Sequence, residues 1–358
     1  MRRAGWLTEL LGPIALVVLL AVASSLWVAS GDQIKFQNAI VYVALVTALY
    51  VFVGNSGVIS FGQVSFVAVG AFASGVMTIP LDTKRGVLPT LFPLLRDHTI
   101  SSAWSLVLAT ALGAIYAFVV GIPLMRLSGI AAGISTLAVL GITYNILTYW
   151  TSIGPGSTVL SLIPTTTDYW QATVGAVVVI CVAFVYQRSR FGRQLRAARE
   201  DPAAARAAGI DIHRQRLLAF TLSGALSGFA GGLYVHLLGS IATNQVYLDL
   251  TFLTLAMLVV GGISSLFGAV VGAITISLFT ILLGNSELGI HIFGWGIKAP
   301  AGASLVGVAI VMLVILLLRP SGITGGHEFS LPRRLRGGTA GPKPPAPAPP
   351  APAPEAGV

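Results

Sequence analysis

The stretch that decides the fold is residues 188–238, RSRFGRQLRAAREDPAAARAAGIDIHRQRLLAFTLSGALSGFAGGLYVHLL, in which an arginine-rich segment runs directly into an apolar one. Segment 188–216 carries eight arginines, whereas 217–238 contains no Asp, Glu, Lys or Arg. An apolar run of about 20 residues has the length that crosses the hydrocarbon core of a bilayer as a helix. The stretch therefore predicts a membrane-spanning helix that follows a basic loop.

Apolar runs of this kind recur along the whole chain. Of the 358 residues, 55% are hydrophobic and only 9% are charged, and the mean hydropathy is +0.87. Soluble domains carry about 25% charged residues. The composition therefore predicts an all-α, polytopic bundle with about ten spans. The candidate spans are 11–29, 38–53, 57–79, 102–124, 129–150, 169–187, 217–238, 251–262, 265–284 and 301–318.

Two of these runs have more than one interpretation. Run 11–29 follows Arg2 and Arg3 and has features of a signal peptide, but it is long for one and further spans follow, which favours a first transmembrane helix. Run 251–262 is short for a full crossing. Gly261-Gly262 is either a tight turn between two crossings or a break between half-helices.

The arginines predict the orientation of the spans. Cytoplasmic loops of membrane proteins are enriched in Lys and Arg, so loop 188–216 is expected in the cytoplasm. Counting spans outwards places Arg126 and both termini on that side and loop 151–168 outside, provided that 251–284 crosses twice. The net charge of +9 is thus explained by membrane orientation, and no nucleic-acid partner is expected.

The C-terminal residues form a separate segment. Residues 323–358 end in Pro-Ala repeats with little apolar bulk to bury, which predicts a disordered tail after a permease domain of residues 1–322. The single cysteine, Cys181, excludes a disulfide framework or a thiolate cluster, and no metal site is expected.

The distribution of charged groups also indicates which energy sources are compatible with transport by this chain. No predicted span contains Asp or Glu, although ion-coupled transporters usually keep such groups within the membrane. No glycine-rich stretch has the lysine of a phosphate-binding P-loop, so no cofactor is expected and any ATP must be bound by another subunit. Three possibilities stay open: a permease driven by separate ATPases, a secondary transporter or channel, and a membrane-embedded enzyme. The enzyme has the least support, because no activated nucleophile appears within the spans.

A short helix is predicted inside the arginine-rich loop. Asp201 is suited to cap it, Pro202 to occupy its first turn and Gly209 to end it. The alanines between them favour a helix over about 202–208 with a nearly flat face. In an arbitrary loop such a helix is usually a solvated connector. The alternative interpretation is that it docks on a second protein.

The amino-acid sequence of this segment resembles that of a loop in a known family. Glu200–Gly209 is similar to the "EAA" loop of ABC importer permeases, in which a coupling helix docks on the ATPase. Ser189–Arg193 and Ala219-Phe220 resemble the flanks of this loop in the LivM-like branch of branched-chain amino acid permeases. This sequence departs from the family at Glu200-Asp201-Pro202.

Further blocks extend the resemblance over roughly 38–322. They are Gly54–Phe72, the segment from Arg126 to Thr136-Leu137, and Val260–Ala273. The family's Thr-Gly-Gly turn is replaced here by Ser152–Gly156, which affects the expected outer gate.

The resemblance implies a multi-pass subunit of the bacterial inner membrane, not an enzyme. Its implied partners are a homologous second permease, two ATPase subunits and an extracytoplasmic substrate-binding protein. Its implied substrates are branched-chain amino acids, with urea or short amides as the alternative. The residues expected to couple to the ATPase are Glu200, Asp201, Ala204, Ala205, Ala208 and Gly209.

Two other groups of residues are candidates for function. Polar side chains within the apolar spans are either substrate contacts or hydrogen-bond partners between helices. They are Gln63, Ser65, Thr136, Thr143 and Asn145. Glycines at every fourth position predict helix faces that allow close approach of a neighbouring backbone. They are Gly224, Gly228, Gly232, Gly268 and Gly272.

Overall fold

The structure is a computed structural model that describes residues 3–27, 32–288, 290–292, 295–297, 300 and 302–328. Most of the predicted disordered tail, residues 329–358, lies outside the described residues.

Fourteen α-helices run through the described part of the chain. In chain order they are α1 Arg3–Trp27, α2 Gln33–Ser56, α3 Gln63–Thr78, α4 Leu81–Val87, α5 Pro93–Arg96, α6 Ser102–Leu124, α7 Gly129–Tyr149, α8 Tyr169–Arg188, α9 Arg190–Glu200, α10 Pro202–Ala207, α11 Ile212–Leu238, α12 Leu248–Gly261, α13 Leu266–Leu288 and α14 Ala303–Leu318. A 3-10 helix, Thr243–Val246, precedes α12, and strands β1 Ile290–Ile292 and β2 Trp295–Ile297 pair antiparallel after α13.

The helices confirm a polytopic bundle, and each of the ten predicted spans contains one. By length and composition, eight of the described helices are able to cross a membrane, and a ninth span results if α3 and α4 are counted together despite a 115° bend. The remaining helix, α14, is 16 residues long. The predicted span 57–79 begins late, at Gln63, because Gly57 ends α2 with a left-handed φ of 70°.

The centre of the bundle is formed by α2 and α11. Seventeen residues of α2 are buried, from Ala39 to Ser56, and α11 is buried along most of its length. α11 packs against α6, α3 and α2, while α2 also contacts α8 and α13. By contrast, α6, α7 and α14 expose large apolar side chains such as Trp104, Ile130 and Leu317, as expected of helices that face lipid.

One end of the bundle gathers the basic loops. Arg199 Nη1 donates to Gly54 O at 2.8 Å, and Arg216 Nη1 donates to Leu127 O at 3.3 Å. Arg188 pairs with Glu9 near the start of α1. We call this the Arg-rich end; it is formed by residues 57–62, 125–128, 189–211, 262–265 and 319–328. Both ends of the described chain therefore lie on the same side of the bundle as the arginine-rich loop.

The opposite end is formed by the remaining connections. Phe92 N donates to Ser152 O at 3.0 Å, and Leu160 and Ile241 form an isolated antiparallel bridge. Lys84, in α4, is fully buried and donates to the carbonyl oxygens of Leu95 and His98. These contacts tie the long connection 79–101 to the ends of α6 and α7.

The segment 251–284 forms a helical hairpin. α12 and α13 lie antiparallel, so that Gly261 faces Gly268 and Met257 faces Gly272. Gly262, with φ 121°, makes the turn between them. The first arm is completed by the 3-10 helix Thr243–Val246, which explains why the apolar run seemed short. By length and composition, Thr243–Gly261 and α13 are each able to cross a membrane, so this segment is long enough for two crossings.

The packed part of the chain extends beyond α14 to Glu328. Thr324 N donates to Gly261 O at 3.2 Å, and Ile323 N donates to Val260 O at 2.8 Å. The carboxylate of Glu328 accepts from Leu266 N at 3.0 Å and Phe267 N at 3.2 Å. Residues 323–328, which the sequence placed in the tail, thus cap the first turn of α13.

Candidate functional site

The short helix predicted in the arginine-rich loop is present as α10. The Asp201 side chain accepts hydrogen bonds from Ala203 N at 2.9 Å and Ala204 N at 3.0 Å, which satisfies amides that the helix leaves free. Gly209, with φ 79°, follows the helix, and Ile210 N closes the turn on Ala205 O at 3.0 Å. Local capping chemistry thus defines both ends of a helix only six residues long.

Almost all of α10 is exposed. Of the six residues predicted to couple to an ATPase, only Ala205 is buried, at 5% exposure. The other five are exposed: Glu200, Asp201, Ala204, Ala208 and Gly209. At the Arg-rich end α10 therefore exposes mainly small alanine side chains.

The helix α9 connects α10 to the centre of the bundle through Arg196. The Arg196 guanidinium donates to Asn55 Oδ1 at 2.7 Å, to Gln187 Oε1 at 2.8 Å and to the Tyr50 hydroxyl at 3.0 Å. Tyr50 in turn donates to Gln187 Oε1 at 2.8 Å. Because Tyr50 and Asn55 belong to α2, these hydrogen bonds join α9 directly to a central helix of the bundle. The sequence interpretation missed this network.

A groove of about 680 Å³ lies beside α10 at the Arg-rich end. Its walls come from the end of α2, from α9 and from the 262–265 turn, and Arg199 and Arg216 line it. Pro320, Ser321 and Gly325 form the opposite wall. The arginine-rich loop and the C-terminal segment therefore meet on one surface.

The polar residues predicted for a substrate path do not form one cluster. Ser65 donates to Gly62 O at 2.5 Å, Thr136 donates to Gly133 O at 2.7 Å and Thr143 donates to Val139 O at 2.9 Å. Asn145 is exposed and donates to Gly141 O at 2.8 Å. Four of the five thus have hydrogen bonds within or next to their own helix.

Gln63 has the least satisfied side chain of these five. It is 3% exposed, and its Oε1 accepts from Ser223 Oγ at 3.1 Å. Its Nε2 is buried without a hydrogen-bond partner among the described residues. A buried amide of this kind costs free energy unless another group satisfies it, so Gln63 has the best geometric support among the substrate-path residues.

A cavity of about 720 Å³ lies between α3, α6 and α7 and is almost entirely apolar. Thr143 reaches its wall, with its hydroxyl 2.7 Å from the Tyr116 hydroxyl. Leu94, Leu95 and His98 close the cavity from the connection at the opposite end. An apolar cavity of this kind accepts hydrocarbon groups rather than ions.

The connection over this cavity is fixed by charged residues. Hydrogen bonds from the Arg96 and Arg85 guanidinium groups hold the pKa of Asp97 below its ordinary value, and Arg85 Nη2 lies 3.1 Å from the carboxylate. Burial lowers the pKa of Lys84, whose two carbonyl acceptors retain it in place. These residues support the wall of the cavity.

The predicted packing glycines lie at the closest helix contacts. A Cβ at Gly228 would overlap Ala109 O, and one at Gly224 would overlap the Cβ of Ala117, both of which belong to α6. A Cβ at Gly232 would lie 2.7 Å from the Leu106 side chain. Gly268 and Gly272 lie against the backbone of α12. Backbone-to-backbone packing of this type needs glycine.

A buried polar contact at the opposite end involves His236. His236 is 1% exposed, and its Nε2 lies 2.9 Å from Ser74 Oγ and 3.2 Å from Ser105 Oγ. Its Nδ1 lies 3.0 Å from Pro164 O. This contact joins α11 to α3, α6 and the loop before α8, which indicates a structural link.

Comparisons with known proteins agree on one family. The model of the branched-chain amino acid transport system permease component matches residues 36–318. The chain is similar to LivM, the permease protein of the high-affinity branched-chain amino acid transport system of Escherichia coli K12, with 28% identity over 73% of this chain and 65% of LivM. It thus spans slightly less than two thirds of the length of that relative.

Two further relatives differ in how much of them is matched. The probable branched-chain amino acid transport permease LivH of Methanocaldococcus jannaschii is 27% identical over 85% of this chain and 96% of its own length. LsrC, the autoinducer 2 import system permease of E. coli K12 strain DH10B, is 26% identical over 66% of this chain and 72% of LsrC. No solved structure shows a significant match.

Proposed function

The chain belongs to the family of branched-chain amino acid transport system permease components, and from this premise we propose that it is the membrane-spanning subunit of an ABC importer for branched-chain amino acids. ATP is bound and hydrolysed by separate subunits, and the permease itself holds no cofactor. The observation that carries the proposal is α10, a capped alanine helix with an exposed face at the tip of the Arg-rich end.

The connection from α10 to the bundle supports ATP-driven movement. Nucleotide-dependent closure of two ATPase subunits displaces α10, and α9 follows because the two helices share Asp201 as a cap. Arg196 then passes the displacement to α2 through Tyr50 and Asn55. Glycine contacts between α11 and α6 let the helices shift against each other without side chains that interlock.

The proposed partners are compatible with the same geometry. α7 has few contacts with the rest of the chain and a largely exposed surface, which leaves room for a homologous second permease along it. An extracytoplasmic binding protein delivers substrate at the opposite end. The apolar cavity bordered by Tyr116 and Thr143 is compatible with branched hydrocarbon side chains, and the names of LivM and LivH support the same substrate class.

The test compares two glycines with equal backbone strain. Gly209 and Gly302 have φ of 79° and 88°, and a Cβ at either would meet no atom within 4 Å. Gly302 precedes α14 at the opposite end, so G302W is a matched control for G209W. We expect G209W to lose co-purification with the ATPase subunits and ATP-dependent leucine uptake in proteoliposomes, whereas G302W retains both.

Three outcomes would contradict the proposal. Equal loss in G209W and G302W would attribute the effect to backbone strain. Leucine uptake by the purified chain without ATPases would favour a secondary transporter. ATP-dependent uptake of urea or acetamide, with no competition by leucine, isoleucine or valine, would reject the substrate class while keeping the coupling helix.

A further inference from the structure

The groove at the Arg-rich end and the apolar cavity lie along the same face of α7. Gly129, at the start of this helix, lines the groove, whereas Thr143 and Leu147 line the cavity. Helical geometry places these three residues on nearly the same side of the helix, with about 21 Å between Gly129 and Thr143 along its axis. One helix face therefore runs from the groove to the cavity.

The segment that follows α2 and the helix α3 form a second wall shared by the groove and the cavity. Val58 and Ile59 line the groove, whereas Val69 and Phe72 line the cavity. α3 packs against α7. The groove and the cavity are therefore the two ends of one seam between α7 and residues 58–72.

The centre of this seam is filled by the Phe61 side chain. The ring packs on Gly133 of α7, where an added Cβ would lie 3.7 Å from the ring atom Cε2. Phe61 N donates to Thr136 Oγ1, also on α7, at 3.1 Å. The Phe252 ring of α12 lies edge-on, with its centre 6.3 Å from that of Phe61. Phe61 therefore stands in the seam between the groove on one side and the cavity on the other.

The backbone that carries Phe61 is irregular, although it lies inside the bundle. Residues 57–62 form neither helix nor strand, and α3 begins at Gln63. Gln63 accepts from Ser223, which lies about three helical turns from the start of α11. Irregular backbone at membrane depth occurs where protein or a water-filled cavity surrounds it. A few such residues between helices are also suited to absorb a change of φ and ψ.

Two buried polar groups of this region lack hydrogen bonds in the present arrangement. Ser60 is 1% exposed and Gln63 is 3% exposed. Among the described residues, Ser60 Oγ and Gln63 Nε2 have no hydrogen-bond partner. A buried polar group without a partner costs free energy. A movement that brings either group to water removes part of this cost, so the polar groups of the segment do not hold the seam closed.

We infer that Phe61 is a gate between the groove and the cavity, and that residues 57–62 open it by withdrawing the ring from the seam. The inference rests on the proposed function, because a gate acts only in a chain that transports a solute. The gate segment also touches the coupling region: the Arg199 side chain of α9 packs against Gly57, with Cγ 2.9 Å from the position of an added Cβ.

The experiment asks whether Phe61 separates the two hollows. In a C181S background, V69C places a thiol on the cavity wall and I59C places one in the groove. A membrane-impermeant thiol reagent is added to membrane vesicles of the orientation in which I59C is labelled. We expect V69C to stay unlabelled while Phe61 is present, and F61A/V69C to be labelled as fast as I59C. F61L, a milder change that keeps the measurement possible if F61A does not fold, should give an intermediate rate.

F229A is the matched control. Phe229 is, like Phe61, a partly buried ring packed against the core, but it lies on α11 beside a different hollow, between α6 and α8. F229A/V69C is expected to remain unlabelled. In the transporter assembled with its partner subunits, F61A should also let leucine leak from proteoliposomes without ATP, whereas F229A should not.

Three results would overturn the gate. Labelling of V69C with Phe61 in place would show that the seam is open past the ring. No labelling of V69C in either F61A or F61L would show that other groups close the seam. Equal labelling in F61A and F229A would attribute the effect to general loosening of the bundle.

The thiol measurement needs neither substrate nor ATP. If the wild-type transporter shows no ATP-dependent leucine uptake, the proposed function fails, but the labelling of V69C still establishes whether Phe61 closes the seam. If uptake is present and V69C is labelled regardless of residue 61, only the gate fails.

Discussion

At the scale of single residues, Arg196 holds a network of buried side chains together. Its guanidinium reaches three side-chain oxygens, on Asn55, Tyr50 and Gln187, that come from two different spans. Buried acceptors that lose their donor keep the full cost of desolvation. The network therefore requires the planar, forked donor of arginine, which lysine does not reproduce.

The corresponding prediction concerns stability. R196M leaves Asn55 Oδ1 without its donor and removes one of the two donors to Gln187 Oε1, so we expect a loss of about 2–4 kcal/mol and a clearly lower thermal unfolding midpoint in detergent. R196K should recover only part of the loss. R193M, an exposed position on the same helix, should unfold like the wild type; equal midpoints for R196M and R193M would refute the role given to the network.

At the scale of elements, the hairpin of α12 and α13 depends on a segment from elsewhere in the chain. Glu328 accepts hydrogen bonds from two amides at the start of α13, and Ser265 Oγ lies 3.4 Å from the same carboxylate. A negative group at a helix N-terminus both satisfies free amides and interacts favourably with the helix dipole. The C-terminal segment thus completes the cap that Ser265 begins, since Ser265 Oγ accepts from Gly268 N at 3.0 Å.

Removal of this cap is expected to loosen the hairpin locally. E328A should cost about 1–2 kcal/mol, comparable with the loss of a strong N-cap. Hydrogen–deuterium exchange should show faster exchange in the peptide that contains residues 265–268. E200A, which removes a carboxylate with 80% side-chain exposure, serves as the control. Unchanged exchange at 265–268 in E328A would show that the carboxylate does not hold this turn.

At the scale of the whole molecule, the Arg-rich end and the opposite end are expected on different sides of the membrane. Ala204 is exposed at the first, and Gly86 is exposed at the second with no atom within 4 Å of an added Cβ. In a C181S background, a membrane-impermeant thiol reagent applied to intact cells should label G86C and should label A204C only after the membrane is permeabilised. The reverse pattern would invert the topology and exclude a cytoplasmic ATPase as the partner of α10.

The sequence predicted those parts of the molecule that local chemistry determines. Each predicted apolar run overlaps a helix, although only eight spans, or nine with α3 and α4 together, have the length and composition to cross a membrane. Asp201, Pro202 and Gly209 located α10, because a cap, a first-turn proline and a glycine with positive φ act within a few residues. The glycine repeat of α11 likewise indicated its close contacts with α6.

Long-range contacts left no such pattern in the sequence. Arg196 lies 141 residues from Asn55 in the chain, so its partners were not identifiable among the other polar residues. The hydrogen bonds of Glu328 left no pattern either, because nothing near it in the sequence suggests a partner 62 residues earlier. The outer half of the α12 arm was missed because Thr243–Val246 is a 3-10 helix with polar residues.

The capping of α13 by Glu328 has a consequence for synthesis of the protein. A ribosome releases residues in order, so the amides of Leu266 and Phe267 leave the exit tunnel long before the carboxylate that satisfies them. A truncated nascent chain that ends after α14 but before Glu328 would contain every predicted span. The turn before α13 would nevertheless lack the carboxylate that accepts from its amides.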